Sequence, residues 1–313
     1  MKQKSVRVYA PASISNLGSG FDILGLAIDK PGDFVTARRM KEPGLKFSVL
    51  SAGSDVPSNP NDNVAAHVAA MMIRDFRPDF GIEMILEKKM PVGSGLGSSA
   101  ASSVAAAVAV NALLKKPVPK NELLPFALEG EKKASGAGHA DNAAPSLLGG
   151  VCLVRSYHPL DVIQIPIRNS IVWVVVHPHI SIRTEEARRI LPVAIAMESA
   201  VQQWGNTSGL TIGLIKGDVK LVGKCVEDVI IEPVRAKLIP GFHAVKKAAL
   251  EAGASGCSIS GSGPSVFAVT GSAASGKKIA SAMVRAFQQS ANVECDVMIS
   301  KVNTKGARVV QTK

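Results

Sequence analysis

The segment that most constrains this chain is a glycine-rich stretch that leads directly into an apolar helix. Residues 91–101 have the sequence Pro-Val-Gly-Ser-Gly-Leu-Gly-Ser-Ser-Ala-Ala, and the apolar run continues to Leu114. Glycines at every second position let the backbone turn sharply and approach a ligand without a Cβ in the way. The N–H groups that open a helix lack partners within it and lie at the positive end of its dipole. This combination predicts a phosphate-binding loop.

The spacing of the glycines excludes two well-known phosphate loops. A P-loop needs a Lys after its last glycine, and the dinucleotide fingerprint needs two residues between its second and third glycines; neither condition is met here. Ser98 and Ser99 add hydroxyls suited to a helix cap, a phosphate oxygen or Mg²⁺. The alternative is a glycine-rich turn with a serine cap and no ligand.

Composition bounds the size and the partners of the protein. The chain has 313 residues, of which 46% are hydrophobic, so it can form a substantial core and is long enough for two domains. The net charge is +11, but no basic run exceeds two residues and aromatic residues are only 4%. Stacking platforms are therefore scarce, and we expect no nucleic-acid partner.

The spacing of the cysteines and the composition of the N-terminus indicate in which cellular compartment the protein lies. The four cysteines lie far apart without C-x-x-C spacing, which argues against a disulfide framework or a zinc site. Residues 1–8 carry charge but no apolar core of a signal peptide. The run from Ala100 to Leu114 is shorter than the ~20 residues that span a bilayer. We expect a cytoplasmic protein with no membrane partner.

The order of predicted elements favours an α+β fold. The first half contains strands followed by helices without regular βαβ alternation, and the second half indicates an antiparallel sheet with helices on one face. In that second half we predict a buried strand at Ile171–Val176 and helices at Thr184–Met197 and Asp218–Ile230, among others. The predicted domains are residues 1–168 and 169–313. His177 and His179 are interpreted as a polar strand end, because no third metal ligand is evident.

Three segments in order resemble the motifs of GHMP kinases. Residues 91–101 resemble the central motif P-x3-G-L-G-S-S-A, residues 10–22 the first motif, and residues 255–265 the third. The resemblance spans nearly the whole chain. It implies an N-terminal nucleotide-binding domain like ribosomal protein S5 domain 2 and a ferredoxin-like C-terminal domain. It also implies ATP-dependent phosphorylation of a small molecule with Mg²⁺.

Within that family, four segments are similar to those of the homoserine kinases. They are Asn-Leu-Gly-x-Gly-Phe-Asp at 16–22, Gly-His-Ala-Asp-Asn at 138–142, Thr-x-x-Ala-Arg at 184–188 and Ile-Glu-Pro-Val-Arg at 231–235. The Arg-x-Asn-Leu-Ile-Gly-Glu-His segment of galactokinases is absent. The similarity implies L-homoserine as substrate, a place in threonine biosynthesis and a homodimer.

The resemblance assigns the nucleotide and metal contacts. Ser99 and Glu131 would hold Mg²⁺, an arrangement that leaves positions for phosphate oxygens and water. Asn63 would contact adenine, with Lys88 or Lys89 nearby. The expected nucleotide loop comprises Pro91, Val92, Gly93, Ser94, Gly95, Leu96, Gly97, Ser98, Ser99, Ala100 and Ala101. Taken alone, Glu131 and both lysines are typical of solvated surface positions.

The same resemblance assigns the amino-acid contacts. Asp22 would pair with the substrate ammonium and Asn16 would bond its polar groups. Arg188 and Arg235 would bind its carboxylate with the two-pronged geometry of guanidinium. Three further residues, Thr184, His139 and Asn142, complete the expected set.

Catalysis is expected to depend mainly on how the protein positions the reacting hydroxyl and the phosphate groups. His139 and Asn142 would lie near the reacting hydroxyl, with Glu131 acting through the metal. An amide cannot be a general base, so Asn142 would orient the hydroxyl while its proton leaves to the γ-phosphate or to water. Asp141 is an alternative base, although its side chain should point away from that of its neighbour.

Other functions remain open at this stage. Another GHMP kinase would act on mevalonate, shikimate or a sugar. A non-catalytic binding protein of this fold typically loses loop glycines or the metal carboxylate, both of which are present here. A dinucleotide oxidoreductase is disfavoured by the glycine spacing and by the lack of βαβ alternation.

Overall fold

The computed structural model describes residues 4–51 and 56–312. Its strands are β1 Ser5–Ser15, β2 Leu24–Met40, β3 Leu45–Ser51, β4 Gly81–Lys88, β5 Val151–Tyr157, β6 Leu160–Ile165, β7 Val172–Pro178, β8 Gly256–Ile259, β9 Val266–Thr270, β10 Cys295–Ser300 and β11 Arg308–Thr312. Its helices are α1 Val64–Phe76, α2 Ser98–Leu113, α3 Leu124–Ser135, α4 Ala140–Leu148, α5 Thr184–Arg189, α6 Met197–Lys216, α7 Val219–Cys225, α8 Glu232–Arg235, α9 Phe242–Glu251 and α10 Ala273–Ala291. Among these helices none is long and apolar enough to cross a membrane.

The first sheet has seven strands and is organised around β2. Its order is β11-β1-β2-β4-β3, with β5 pairing the start of β2 and β6 pairing β5. All neighbours are antiparallel except β3 and β4. Helix α2 packs against β1 and β2 and is flanked by α1, α3 and α4. Because α2 consists mainly of Ala, Ser and Val, neighbouring helices approach it closely and it is buried on nearly every side.

The second sheet has four antiparallel strands in the order β10-β7-β9-β8. Strand β7 is central and fully buried, in agreement with the strand predicted from its continuous β-branched run. Trp173 on β7 and Phe267 on β9 pack with ring centroids 5.6 Å apart. Helices α9 and α10 pack against the sheet and each other, so an antiparallel second sheet with helices is present as expected.

Two helices predicted from sequence are shorter in the structure. Helix α5 ends at Arg189, whereas Thr184–Met197 was expected to be one helix. Pro192 accounts for this, because the residue before a proline is pushed out of the helical region. Helix α7 ends at Cys225 rather than Ile230. There the Asp228 carboxylate accepts backbone N–H groups from residues 230–232, so it competes with helix continuation.

The last strand, β11, returns to the first sheet and pairs with β1. No strand after residue 302 was predicted from the sequence. A strand from beyond residue 168 therefore belongs to the first sheet, and the 168/169 division stays a prediction. The returning segment contacts the end of α4, where a Cβ on Gly149 would lie 2.5 Å from the backbone nitrogen of Gly306. Backbone packs directly on backbone at this point.

This contact predicts different effects for two neighbouring glycines. Gly149 and Gly150 have φ values of 81° and 77°, so alanine is strained at both. A Cβ on Gly150 meets nothing within 4 Å, whereas one on Gly149 overlaps the 304–306 backbone. We expect Gly150→Ala to cost about 1 kcal/mol and Gly149→Ala at least ~2 kcal/mol more. Urea unfolding of the two variants measures the difference, and equal midpoints would contradict the packing argument.

Candidate active site

A cavity of about 600 Å³ lies where the three glycine-rich segments meet. Its volume is in the usual range for small-molecule sites. The loop after β1, the loop before α2 and the loop after β8 all contribute to its walls, together with α3, α4, α5 and α8. The sequence motifs are thus far apart in the chain but adjacent in space.

The central loop has the backbone conformation that its glycines permit. Gly93, Gly95 and Gly97 have φ values of 68°, 75° and 65°, in the left-handed region. A Cβ on Gly95 would lie 2.5 Å from the carbonyl oxygen of Ser260, and one on Gly97 would lie 2.1 Å from Ser13 Oγ. The glycine pattern in the sequence predicts the close approach of a ligand. The structure adds that the protein itself occupies this space.

Hydrogen bonds hold this loop against the third glycine-rich segment. Ser265 Oγ donates to the carbonyl of Ser94 (2.6 Å) and Ser260 Oγ donates to that of Gly95 (2.7 Å). His177 Nδ1 lies 3.1 Å from Ser265 Oγ. Because the serine proton is already used, His177 donates from Nδ1, and burial lowers its pKa to about 4. His177 is therefore buried near the end of β7 and not in the predicted polar loop, whereas His179 is exposed just after the strand.

A buried ion pair lies behind the loop. Lys88 at the end of β4 pairs with Asp33 of β2. Its Nζ also donates to the carbonyl of Ser98 (2.6 Å) and to Ser102 Oγ (2.8 Å) at the start of α2. Lys88 lines the cavity, so it is not the solvated residue that its sequence context allowed. Lys89 is exposed.

Asn63 is the N-cap of α1. Its side-chain oxygen accepts the N–H of Ala65 (2.9 Å), and its Nδ2 donates to the carbonyl of Pro57 (2.8 Å). The residue is buried at the edge of the cavity. The structure thus assigns it a capping role, and its contact with adenine stays a prediction.

Glu131 extends from α3 into the cavity and is almost completely buried. Burial raises the pKa of its carboxyl to about 7, although the neighbouring Ser99 hydroxyl bonds to it and opposes the shift. Oε1 has no hydrogen-bond partner within the described residues. A buried carboxylate oxygen beside a hydroxyl is a donor set that fits Mg²⁺, which retains several waters in protein sites. The solvated alternative for Glu131 is therefore wrong.

Charged side chains converge on another part of the cavity wall. Nη2 of Arg188 lies 2.8 and 2.9 Å from the two carboxylate oxygens of Asp22, and 3.3 Å from His139 Nδ1. Burial and the nearby Arg188 lower the pKa of His139 to about 4, so its ring is neutral. The two residues expected to bind opposite ends of the substrate bind each other in this structure.

Arg235 is buried beside this ion pair. It donates to the carbonyl oxygens of Gly261 (2.9 Å) and Ala187 (3.4 Å). Burial lowers its pKa to about 10, which leaves it charged at neutral pH. The ring of Phe21 lies beneath both guanidinium groups, 5.0 Å from that of Arg235 and 5.7 Å from that of Arg188. Phe21 is a contributor that the sequence analysis missed.

The loop after β1 is held in an unusual conformation. Asn16, Leu17 and Asp22 have φ values of 67°, 49° and 60°, which non-glycine residues seldom adopt. Asn16 stabilises the loop, since its Oδ1 accepts the N–H of Asp22 (3.0 Å) and its Nδ2 donates to the carbonyl of Gly261 (2.9 Å). Such strain persists where the surroundings impose it, and it is common at functional sites.

Asn142 and Asp141 both line the cavity from the start of α4. Ser13 Oγ donates to Asn142 Oδ1 (2.8 Å), so the Nδ2 group is the one left to face a ligand. Burial raises the pKa of Asp141 to about 7, helped by the charges of Asp22 and Glu131. Asp141 and Asn142 therefore both reach the cavity, although neighbouring side chains leave a helix in different directions. Adjacent positions on a helix differ by about 100°, and this cavity extends around the helix end.

Unsatisfied polar atoms are concentrated in this cavity. Within the described part of the chain, nine buried side-chain nitrogen and oxygen atoms have no hydrogen-bond partner. Five of them belong to cavity residues: Ser94, Glu131, His139, Asp141 and Arg188. Buried polar groups are normally paired, so these atoms identify the cavity as a site for a polar ligand. Thr184 also lines it, at the start of α5.

This fold and site define a small-molecule phosphotransferase. The family model for the N-terminal domain of GHMP kinases matches residues 63–150, and that for the C-terminal domain matches residues 210–289. The chain therefore belongs to the GHMP kinase family, and the expected two-domain α+β fold is confirmed.

Several close relatives of the chain are named homoserine kinases. It is 46% identical to a homoserine kinase of Chlorobium phaeobacteroides (98% of this chain, 100% of the relative). It is 41% identical to a homoserine kinase of Arabidopsis thaliana (98% and 85%). The crystal structure of homoserine kinase from Cytophaga hutchinsonii superposes with a TM-score of 0.94 at 46% identity, covering 99% of this chain and 98% of that one.

The raised pKa of Asp141 predicts a pH-dependent gain in stability on substitution. Its carboxyl binds a proton more tightly in the folded state, so its stabilising contribution is present below pH ~4 and is lost as pH rises through about 7. The Asp141→Asn variant has no ionisable carboxyl at this position, so it does not lose this stability as pH rises. We expect its melting temperature without ligand to exceed that of the wild type by roughly 2–5 °C at pH 8. Calorimetry between pH 5 and 8 tests this.

The control is Asp161→Asn, which removes a partly exposed carboxylate paired with Arg155. That change should leave the pH dependence of the melting temperature as in the wild type. Parallel curves for wild type and Asp141→Asn would mean that Asp141 does not carry a raised pKa.

Proposed function

We propose that this protein is a homoserine kinase. It transfers the γ-phosphoryl group of ATP to the hydroxyl of L-homoserine and forms O-phospho-L-homoserine, a step in threonine biosynthesis. The relatives named homoserine kinase over nearly the full chain support the reaction. The site supports it independently through the charges that face its cavity.

The observation that carries the proposal is the pairing of Asp22 with Arg188 inside the cavity. An amino acid presents an ammonium and a carboxylate, and each needs a partner of opposite charge once water is displaced. Asp22 and Arg188 offer both charges on one wall, and the pair keeps each neutralised until a ligand arrives. Mevalonate, shikimate and sugars have no ammonium for Asp22.

Substrate binding would exchange one ion pair for two. The homoserine ammonium would take the place of Arg188 at Asp22, and the released guanidinium would bind the carboxylate together with Arg235. Arg235 needs little reorganisation, because Gly261 and Ala187 already position it. The ring of Phe21 packs against both guanidinium groups and limits their movement. Prior positioning of this kind lowers the entropic cost of binding.

Phosphoryl transfer depends mainly on positioning and charge, because its transition state is loose. The N–H groups at the start of α2 and the charge of Lys88 would stabilise phosphate oxygens. Nδ2 of Asn142 would donate to the homoserine hydroxyl oxygen and orient it in line. The hydroxyl proton then leaves to Asp141, whose pKa lies near neutrality, or to a γ-phosphate oxygen.

Mg²⁺ is proposed as the metal cofactor. Glu131 and Ser99 would hold it, and it supplies positive charge to the phosphate oxygens when bound. For this, Glu131 must be ionised, so we expect metal affinity to increase with pH around its raised pKa. The remaining proposals are a cytoplasmic location, which fits four cysteines with free thiols, and a homodimeric assembly.

The metal assignment predicts a large loss of rate in Glu131→Gln. The amide keeps the size of the side chain and removes the charge that would hold Mg²⁺. We expect kcat to fall by ~10²-fold or more, measured by ADP release at saturating ATP and homoserine over a range of Mg²⁺ concentrations. Glu129→Gln is the matched control on the same helix, because Glu129 is partly exposed and pairs with Lys132. A kcat for Glu131→Gln within a factor of three of wild type would refute the assignment.

The substrate assignment predicts that wild-type protein prefers homoserine over mevalonate, shikimate and galactose. Arg188→Ala and Arg235→Ala should each lose ~2–5 kcal/mol in kcat/KM for homoserine, because its buried carboxylate loses a partner. ATP binding should change little. Arg188→Lys should also be poor, since a point charge does not reproduce the guanidinium geometry. Arg189→Ala is the control, as Arg189 is an exposed neighbour on α5.

The substrate panel distinguishes an error in the assigned substrate from an error in the residues assigned to bind it. Preference for a substrate other than homoserine would overturn the specificity and leave a kinase of the same family. Preference for homoserine with full activity in both arginine variants would instead retain the reaction and refute this substrate site.

A further inference from the structure

Tyr157 lies at the end of β5, behind the wall of the cavity, and its side chain reaches the backbone of Asp22. The Tyr157 hydroxyl donates to the carbonyl oxygen of Asp22 (2.9 Å). The Tyr157 ring is partly buried and packs against the hydrophobic core, which fixes its position. Asp22 itself lines the cavity. Tyr157 therefore contacts the proposed ammonium site from behind, through the backbone of the residue that forms it.

Two side chains hold the backbone of Asp22 on its two sides. Its N–H donates to Asn16 Oδ1 (3.0 Å), and its carbonyl oxygen accepts from the Tyr157 hydroxyl. Asp22 has a φ of 60°, a conformation that residues other than glycine seldom adopt. Such a conformation persists where the surroundings impose it. With both polar groups of its backbone held, Asp22 directs its side chain toward Arg188 and the cavity.

A second contact fixes the direction of the Tyr157 hydroxyl. The backbone N–H of Ala140, the first residue of α4, hydrogen-bonds the phenol oxygen. The first N–H groups of a helix have no partner within it, and the N-cap residue His139 makes no capping bond to the described backbone with its side chain. Because the phenol oxygen accepts from Ala140, its own proton points to Asp22. One hydroxyl thus joins the loop after β1 to the start of α4.

The electrostatic surroundings keep this hydroxyl a donor. Burial raises the pKa of Tyr157 above its usual value, and the negative charges of Asp141 and Asp22 raise it further. The phenol therefore stays protonated throughout the neutral range. The hydrogen bond to the Asp22 carbonyl is present at every pH at which the enzyme would work, so the backbone of Asp22 has the same support throughout.

We propose that Tyr157 is a positioning residue for substrate recognition, whose hydroxyl fixes the backbone of Asp22 and thereby the carboxylate that binds the substrate ammonium. The inference rests on the proposed function, because it requires a substrate with an ammonium group. A carboxylate that is already oriented loses less freedom when the ligand binds. Without the hydroxyl, the strained backbone of Asp22 relaxes and its carboxylate no longer lies where the ammonium needs it.

Two substrates separate this role from a general structural one. L-Homoserine carries the ammonium, whereas 4-hydroxybutanoate has the same chain, hydroxyl and carboxylate without the amino group. Tyr157→Phe removes the hydroxyl and keeps the ring. We expect kcat/KM for homoserine to fall about tenfold, mainly through KM, and that for 4-hydroxybutanoate to fall less than about threefold. The KM for ATP should stay within about twofold of the wild type. ADP release measures all three quantities.

Tyr9→Phe is the matched control, since Tyr9 is the other tyrosine of the chain. Its hydroxyl also donates to a backbone carbonyl, that of Asp29, from a position on β1 outside the residues that line the cavity. Both variants should lower the melting temperature by a similar few degrees. Only Tyr157→Phe should change the ratio of kcat/KM for the two substrates by more than about twofold. Circular dichroism shows whether each variant is folded.

A double-mutant cycle with Asp22 gives a second test that needs homoserine alone. Asp22→Asn keeps the size of the side chain and removes its charge, and asparagine tolerates the left-handed backbone of this position. In the Asp22→Asn background, Tyr157→Phe should lower kcat/KM for homoserine by less than about twofold further, because no carboxylate is left to position. Two independent roles would instead give losses that multiply.

The outcomes distinguish an error in this inference from an error in the proposed function. Equal losses for the two substrates in Tyr157→Phe, no loss for homoserine, or losses that multiply in the cycle would refute the positioning role and leave the homoserine kinase activity standing. Equal losses would indicate that the hydroxyl acts through the start of α4 or through stability alone. A wild-type protein without activity on homoserine would refute the proposed function, and the positioning role with it.

Discussion

The glycine-rich loop before α2 depends on the buried ion pair between Asp33 and Lys88. Lys88 places a positive charge at the N-terminus of α2, where the helix dipole is already positive. Asp33 neutralises it, and its other oxygen accepts the N–H groups of Lys89 and Met90 as the chain enters the loop. One carboxylate therefore joins β2, the end of β4 and the loop. Loss of either partner would leave an unpaired charge in the interior, which is strongly destabilising.

The three glycine-rich segments form one site because they bond to one another. The carbonyl of Gly261 accepts from Asn16 and from Arg235, while Ser260 and Ser265 hold the central loop. The resulting cavity contains several buried polar atoms without a hydrogen-bond partner. Burial also raises the pKa values of Glu131 and Asp141 to about 7, so both carboxyls are partly protonated at neutral pH. The protein thus sacrifices stability where a charged ligand would restore the missing interactions, a common relation between stability and function.

Much of the fold and the site could be predicted from sequence where the signal is local. The alternating glycines before an apolar run predicted a loop at a helix start, and α2 begins at Ser98. The residues assigned to nucleotide, metal and substrate lie mostly around one cavity, although their roles stay predictions. Predictions from local sequence patterns were wrong where groups distant in the chain form contacts with the same segment. Helix α7 ends early because Asp228 accepts backbone N–H groups, and His177 lies in the buried strand β7, where it meets Ser265 of the third glycine-rich segment.

The sequence by itself determined the family, most of the elements before residue 302 and the chemical groups available to the site. Glycine conformations, helix starts and residue type depend on neighbours in the chain, so sequence patterns report them directly. Only the tertiary structure decided which groups are buried and paired. Glu131 and Lys88 look like surface charges in sequence, yet both are buried around the cavity. Asp22 and Arg188, separated by 166 positions, form one ion pair. Burial and pairing arise from contacts between distant segments, and these contacts set the charge state of each group.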